Sequence, residues 1–176
     1  MGHSTSLKLQ PIRVSELCLR SAYLHLGNAL SALERNAEAR EVYEKVLPML
    51  ITEPRCGRLD WERSSIIVNI GNTYSREGNV DRANVYYDQA EKLGQDHLDV
   101  ENGNHTDGLG IKVIAMRARS FALKKAGKEE EAKAQLREVL EMQLKLNVLE
   151  LARKEKEQLD TAKMTEQQNG QPVEVA

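Results

Sequence analysis

The chain has 176 residues, with 25 lysines and arginines against 27 aspartates and glutamates, and a formal charge of -2. This balance gives no general attraction for nucleic acid, whose binding depends on cations that neutralise phosphates. The hydrophobic content of 40% is too high for a wholly disordered chain.

The predicted elements are helices, because apolar residues recur every three to four positions along the chain. We predict helices over 14–33, 37–52, about 60–77, 80–93, 111–125 and 128–163. Pro48 should kink or end the second helix. Gly78 should end the third helix, since glycine suits the left-handed conformation that closes helices, and Asn79 should cap the fourth. The fold class is therefore all-α.

Three segments should lack regular structure. Residues 1–13 should form a flexible N-terminus, and the polar residues 164–176 a disordered tail. The stretch 94–110 is rich in glycine, asparagine and aspartate, which predicts a loop.

The sequence offers no membrane-spanning or secretory signal. No apolar run approaches the roughly 18 residues that cross a bilayer, and the start of the chain lacks the apolar region of a signal peptide. Cys18 and Cys56 do not form a CxxC pair and are too few for a disulfide framework. We therefore expect free thiols in a cytoplasmic protein.

Three segments share a pattern of small and large residues at fixed offsets, which indicates an internal repeat. The pattern starts at a small residue, followed by a large residue, a turn residue, an alanine, a large residue and a small or branched one. The aligned positions are Gly27, Gly71 and Ser120; Leu30, Tyr74 and Leu123; Glu34, Gly78 and Gly127; Ala39, Ala83 and Ala132; Tyr43, Tyr87 and Leu136; and Val46, Ala90 and Val139. Small residues on both helices let the two axes approach closely, and the large ones fill the space beside them.

This pattern resembles the tetratricopeptide repeat over residues 14–144. The resemblance implies a right-handed α-solenoid of three helix pairs with a long C-terminal capping helix. The pairs would lie at about 14–52, 60–93 and 111–145, within a domain over 14–163. Glu34 stands where a turn glycine is usual, and Arg119 with Ser120 replaces a usual Leu-Gly pair.

The repeats are longer than the usual 34 residues. Gly27 to Gly71 spans 44 positions, and Gly71 to Ser120 spans 49. Such lengthening resembles the repeats of kinesin light chains and of the spindle-orientation adaptor family. The segment LGQDHLDV at 93–100 is similar to the linker of the kinesin type.

In this family the first helix of each pair lines a concave groove. The resemblance assigns to the groove Ser21, Leu24, His25, Asn28 and Ser31; Ser65, Val68, Asn69, Asn72 and Arg76; and Ile114, Arg117, Phe121, Lys124 and Lys125. An asparagine side chain both donates and accepts hydrogen bonds, so Asn28, Asn69 and Asn72 could bond the backbone of an extended peptide. The four basic residues of the set would favour an acidic peptide.

We therefore predict a non-catalytic protein-interaction module, an adaptor or scaffold, with a protein or peptide as its partner. The alternative is that the groove positions are ordinary solvated polar residues. A carboxylate clamp for chaperone C-termini is disfavoured. Asn28 and Asn69 occupy its asparagine positions, but its three basic positions carry Leu24, Ile114 and Ala118.

Neither a metal site nor catalysis is predicted, and no cofactor is expected. The ligand-type residues of the predicted loop are Asp96, His97, Asp99, Glu101, His105 and Asp107. Their spacing matches neither the EF-hand order nor a helical zinc pair. The four histidines have no oriented partner that the sequence reveals, so no catalytic triad or dyad is supported.

Two alternatives concern the ends of the chain. The first residues fit the M-G-x-x-x-[ST] pattern for N-myristoylation at Gly2, which would make the protein a membrane-tethered subunit, although one acyl chain alone attaches weakly. Residues 136–151 are apolar over more than one helical stripe, so this helix should close the end of the solenoid. Alternatively, Leu146, Val148 or Leu149 faces a partner chain and produces a homo-oligomer.

Overall fold

The computed structural model describes residues 16–50, 57–99 and 105–169, and the regular structure of these ranges is entirely helical. The elements are α1 (Glu16–Ala32), α2 (Asn36–Val46), a 3-10 turn (Leu47–Leu50), α3 (Gly57–Arg76), α4 (Val80–Leu98), α5 (His105–Lys125) and α6 (Glu129–Asn169). Helices α1 and α2, α3 and α4, and α5 and α6 pack as successive pairs, and α3 also packs against α2 and α5. The predicted all-α solenoid of three helix pairs is confirmed.

The turn inside each pair has the same left-handed backbone. Glu34, Gly78 and Gly127 have φ angles of 60°, 83° and 78°. In each turn the residue after the left-handed one donates its backbone N–H to the carbonyl oxygen five positions earlier. The N to O distances are 2.9 Å (Arg35 to Leu30), 2.9 Å (Asn79 to Tyr74) and 3.0 Å (Lys128 to Leu123). These are Schellman motifs, in which a left-handed residue satisfies the last helical carbonyls. The predicted turn positions are therefore confirmed, including the one occupied by Glu34.

The interior follows the predicted repeat. The alanines at the shared position of the second helices, Ala39, Ala83 and Ala132, are all buried. Tyr87 lies against Gly71 so closely that a Cβ added to the glycine would meet the tyrosine ring at 2.7 Å. The same contact occurs between Tyr43 and Gly27, at 2.5 Å. Glycine is needed at both positions because the aromatic ring occupies the space of a side chain.

The loop predicted over 94–110 is wrong for most of its length. Helix α4 continues to Leu98 and α5 begins at His105, and only residues 100–104 of the segment lie outside the description. Gly94 and Gly108 face each other across the two helices, and a Cβ on Gly94 would lie 2.8 Å from the Gly108 carbonyl oxygen. A Cβ on Gly110 would meet the Trp61 ring at 2.4 Å. These glycines serve close helix packing rather than a loop.

Several predicted boundaries also change. Helix α2 ends at Val46 and passes into the 3-10 turn that contains Pro48, instead of running to residue 52. Helix α3 starts at Gly57 rather than at about 60. The disordered tail predicted from 164 is wrong as far as Asn169, where α6 ends. Charged helix formers and spaced ion pairs, such as Arg153 with Glu157 at 3.5 Å, favour this long helix.

Two further predictions concern the ends of the chain and the apolar residues near the middle of α6. The predicted flexible segment 1–13, with Gly2, lies outside the described residues, as do Cys56 and residues 170–176. Leu146 does not face a partner chain, since it is buried, whereas Val148 and Leu149 are exposed.

Candidate binding groove

The first helices of the three pairs, α1, α3 and α5, carry the predicted groove positions. Ser21, His25 and Asn28 are exposed on α1, and Ser65, Asn69 and Asn72 are half-buried on α3. The remaining exposed members are Arg76, Arg117, Phe121, Lys124 and Lys125, while Leu24 and Ile114 are half-buried. Ser31 and Val68 are buried, with 7% and 3% of their surface exposed, so they offer little surface to a ligand. Both are covered where α1 and α3 pack on their neighbours.

The groove asparagines are partly engaged within the protein. The Tyr43 hydroxyl donates to Asn28 Oδ1 at 2.7 Å, and the Tyr87 hydroxyl donates to Asn72 Oδ1 at 2.9 Å. Asn69 Nδ2 also donates to Asn28 Oδ1, at 3.1 Å, and so joins α3 to α1. Asn28 and Asn72 therefore keep their amide N–H groups for a ligand, and Asn69 keeps its carbonyl oxygen.

The sequence reasoning missed the two tyrosine contacts, because it treated Tyr43 and Tyr87 only as core residues. The sequence nevertheless contained a signal for these contacts. Each tyrosine follows its asparagine by 15 residues in the same repeat. A buried hydroxyl needs a hydrogen-bond partner, and this spacing supplies one.

Burial of the two phenols also changes their ionisation. Burial raises the pKa of Tyr87 to about 12, against the opposing effects of the Ser75 hydroxyl and of the Arg119 and Arg76 charges. Burial likewise raises the pKa of Tyr43, with Arg76 opposing the shift. Both hydroxyls therefore stay protonated at neutral pH and act as donors to their asparagines.

The third repeat has different groove chemistry. Phe121 occupies the position of Asn28 and Asn72, and 63% of its surface is exposed. Leu136 replaces the tyrosine of the other repeats and has no hydroxyl to donate. The groove thus changes from amide-lined on α1 and α3 to aromatic on α5.

Two of the four basic groove residues connect neighbouring repeats. Arg76 Nη1 donates to the Ser31 carbonyl oxygen at 2.5 Å and also contacts the Ser31 hydroxyl. Lys125 Nζ donates to the Arg76 carbonyl oxygen at 2.9 Å. Each cation therefore lies at the C-terminal end of the preceding first helix, where the helix dipole favours positive charge.

The other two basic residues are available. Arg117 and Lys124 are exposed on α5, and their side chains make no hydrogen bond or ion pair with the described residues. The four cations do not act as one set: Arg76 and Lys125 connect repeats, whereas Arg117 and Lys124 face solvent.

Two cavities border the helices that carry the groove positions. A cavity of about 440 Å³ is lined by Ser31, Ala32, Glu34, Asn36, Arg76 and Lys125. Another of about 610 Å³ is lined by residues that include Leu24, His25 and Glu62. His25 is therefore separated from the basic residues, which the sequence did not indicate.

The ligand-type residues of the 94–110 segment do not form a metal site in the described ranges. Across 16–50, 57–99 and 105–169, no group of three or more His, Cys, Asp or Glu side chains could hold a metal ion. His97 Nε2 instead lies 2.9 Å from Asp60 Oδ2, which connects α4 to α3. Glu101 lies outside the description. Among the described helices, none has the length and apolar character to cross a membrane.

Comparison with known families supports the repeat assignment. Two tetratricopeptide repeat models match the chain, one over residues 19–50 and the other over residues 64–97. The matched ranges fall in the first two helix pairs and include both tyrosine–asparagine contacts, Tyr43 with Asn28 and Tyr87 with Asn72. Neither range includes Phe121 or Leu136 of the third pair. No curated protein and no solved structure matches the chain.

Proposed function

We propose that this protein, which carries tetratricopeptide-type repeats, is a non-catalytic adaptor that binds an extended acidic segment of another protein along α1, α3 and α5. Repeats of this family generally bind protein partners, which supports the interaction role. The observation that carries the acidic preference is the pair of exposed and unengaged cations, Arg117 and Lys124, on α5.

Each part of the groove supplies a different contact. The free amide groups of Asn28 and Asn72 would donate to peptide carbonyls, and the Asn69 carbonyl would accept a peptide N–H. Arg117 and Lys124 would pair with acidic side chains of the ligand. Phe121, between these cations in sequence, offers an aromatic surface for an apolar ligand side chain. The ligand is therefore an acidic segment with an apolar residue near its charges.

The second helices carry the opposite charge. Their exposed acidic residues include Glu38, Glu41 and Glu44 on α2 and Glu129, Glu130 and Glu131 on α6. A ligand with negative charge would be repelled from that surface and attracted to α5. Such steering acts mainly on the association rate and is screened over about 8 Å at physiological salt.

The proposal extends to the type of repeat and to the location of the protein. Repeat spacings of 44 and 49 residues support the long-repeat type that resembles kinesin light chains. The cytoplasmic location rests on the sequence, whose two cysteines are too few for a disulfide framework. Mass spectrometry of the native protein tests the membrane-tethered alternative, since acylation would appear as a fixed mass increase on Gly2.

The experiment selects ligands from a display library of random peptides and measures their binding by fluorescence anisotropy. We expect selected peptides rich in Asp and Glu. Arg117→Glu with Lys124→Glu should weaken their binding by about tenfold or more, because two attractions become repulsions. The association rate should fall as salt rises.

Lys45→Glu with Lys92→Glu is the matched control, since it makes the same charge change on the exposed surfaces of α2 and α4. It should leave binding nearly unchanged. Selection of basic peptides, or an equal loss of affinity in the control, would contradict the proposal.

A further inference from the structure

Helix α6 is much longer than its packing on the solenoid requires. Its buried residues Ala132, Val139 and Leu146 are seven positions apart and mark the face that packs on α5. Beyond Leu146, the side chains described over 147–164 are exposed. With a rise of 1.5 Å per residue, the part from 147 to 164 alone is about 27 Å of helix.

A second apolar face runs along this helix. It consists of Leu140, Leu144, Val148, Leu151 and Leu159, whose exposed fractions lie between 54% and 68%. At 3.6 residues per turn, these five side chains fall within an arc of about 100°, centred about 150° from the buried face. We call this set the α6 stripe, and it extends for about 28 Å.

The end of a repeat array normally has a polar outer surface, because nothing follows to cover it. The α6 stripe is the reverse of such a surface, since it is apolar and lies on the outer side of α6. Isolated exposed leucines are common, but five in one line mark an interaction surface. The stripe therefore needs an occupant.

Charges that flank the four stripe residues from Leu140 to Leu151 indicate which occupant fits. Arg137 and Glu155 share the arc of the stripe, and neither makes an ion pair with the described residues. Arg137 is nine positions before residue 146 and Glu155 is nine positions after it. The four residues Leu140, Leu144, Val148 and Leu151 are thus nearly symmetric about residue 146, and the charges that flank them are opposite, while Leu159 lies beyond this symmetric part.

We propose that the α6 stripe binds the α6 stripe of a second copy of this chain in antiparallel orientation. A two-fold axis near residue 146 places Leu144 opposite the partner's Val148, and Leu140 opposite the partner's Leu151. It also places Arg137 opposite the partner's Glu155, twice. A parallel pair would put like charges together, which is unfavourable.

The dimer is independent of the proposed peptide groove, since none of the groove residues takes part. The four paired apolar side chains per copy correspond to an interface at the small end of the usual range. We therefore expect a reversible dimer with a dissociation constant in the micromolar range, and an adaptor that presents two grooves.

Sedimentation velocity of the full chain over a concentration series tests the proposal. The wild type should show a monomer–dimer equilibrium, and Leu144→Glu with Val148→Glu should be monomeric at all concentrations. Circular dichroism should show an unchanged helix content for this variant, because both residues are exposed.

Charge exchange tests the antiparallel register. Arg137→Glu alone and Glu155→Arg alone should each weaken the dimer by roughly tenfold, because each makes two like-charge contacts. The double variant, Arg137→Glu with Glu155→Arg, should restore the wild-type constant. Lys154→Glu, on another side of α6, is the control and should change little.

Three results would overturn the proposal. They are a wild-type chain that stays monomeric at millimolar concentration, a dimer that survives charges at positions 144 and 148, and a double charge exchange that fails to restore association. The first would mean that another protein, or nothing, covers the stripe. Peptide binding in the groove would be unaffected by any of them.

Discussion

The first two helix pairs and the third share one backbone plan but differ in their interior chemistry. In the first two, a tyrosine packs on a glycine and donates its hydroxyl to a groove asparagine, as Tyr87 does with Gly71 and Asn72. In the third, Leu136 and Phe121 take the tyrosine and asparagine positions, and Ser120 replaces the glycine.

This difference indicates that the buried residue of the second helix and the groove residue of the first helix depend on each other within each repeat. A buried hydroxyl without an acceptor would cost about 1 to 3 kcal/mol, so a repeat that keeps the tyrosine also needs a groove acceptor. Once Leu136 removes the hydroxyl, the groove position is free to carry Phe121. The chemistry presented to a ligand is therefore partly determined by the residue buried behind it.

The largest expected difference between the two regions concerns the large residue on the second helix. Tyr87→Ala should lower the free energy of unfolding by about 3 to 5 kcal/mol, because it leaves a cavity beside Gly71. Leu136→Ala should cost about half as much or less, since Leu136 is only half-buried. Urea unfolding followed by circular dichroism measures both. Equal losses would show that the third repeat is packed as tightly as the second.

The buried phenol should also make the protein sensitive to alkali. The pKa of Tyr87 is about 12 in the folded state and about 10 when unfolded, so folding favours the protonated form. The associated stability is complete below pH 10 and is lost as pH rises through 12, to a total of roughly 3 kcal/mol.

Stability measured between about pH 9 and 12 tests this expectation, because the loss begins near the unfolded pKa of about 10 and is largely reached at the folded pKa. Tyr87→Phe is the control, because it keeps the ring but cannot ionise. It should lose less stability over this range than the wild type does. Parallel pH profiles for the two proteins would show that Tyr87 does not cause the loss.

The close approach of α3 and α4 gives a third test. Ala83→Leu should lower stability by about 1 to 3 kcal/mol, because Ala83 is fully buried and its carbonyl lies 3.2 Å from a Cβ added to Gly71. Ala134→Leu on the exposed surface of α6 is the matched control and should change the melting temperature little. A wild-type melting temperature for Ala83→Leu would contradict the repeat register.

Features set by local sequence could be predicted well. The three turns were placed by alignment alone, and even Glu34 adopts the left-handed backbone that its aligned glycines adopt. The small and large interior positions were also correct, as the burial of Ala39 and Tyr43 shows. Spacing within one helix pair is sufficient for these features, because the contacts join residues close in sequence.

Features that depend on contact between pairs could not be predicted. Composition assigns Gly94 and Gly108 to a loop, but their function depends on the approach of α4 to α5. Likewise, Arg76 and Lys125 appear as free groove cations until the neighbouring helix end is in place. The burial of Leu146 beside the exposed Val148 depends on how α6 is rotated against α5.

The smallest expected effect separates the groove asparagines by role. Asn72→Ala should lower stability by about 1 kcal/mol, because the Tyr87 hydroxyl loses its acceptor. Asn69→Ala should cost less than about 0.5 kcal/mol, since Asn28 Oδ1 still accepts from Tyr43 when the Asn69 amide is removed. Asn69→Ala should nevertheless weaken peptide binding, because the groove loses the Asn69 carbonyl as an acceptor. Urea unfolding and fluorescence anisotropy on the same two variants measure both effects. If Asn69→Ala binds as the wild type does, Asn69 only joins α3 to α1 and does not contact the ligand.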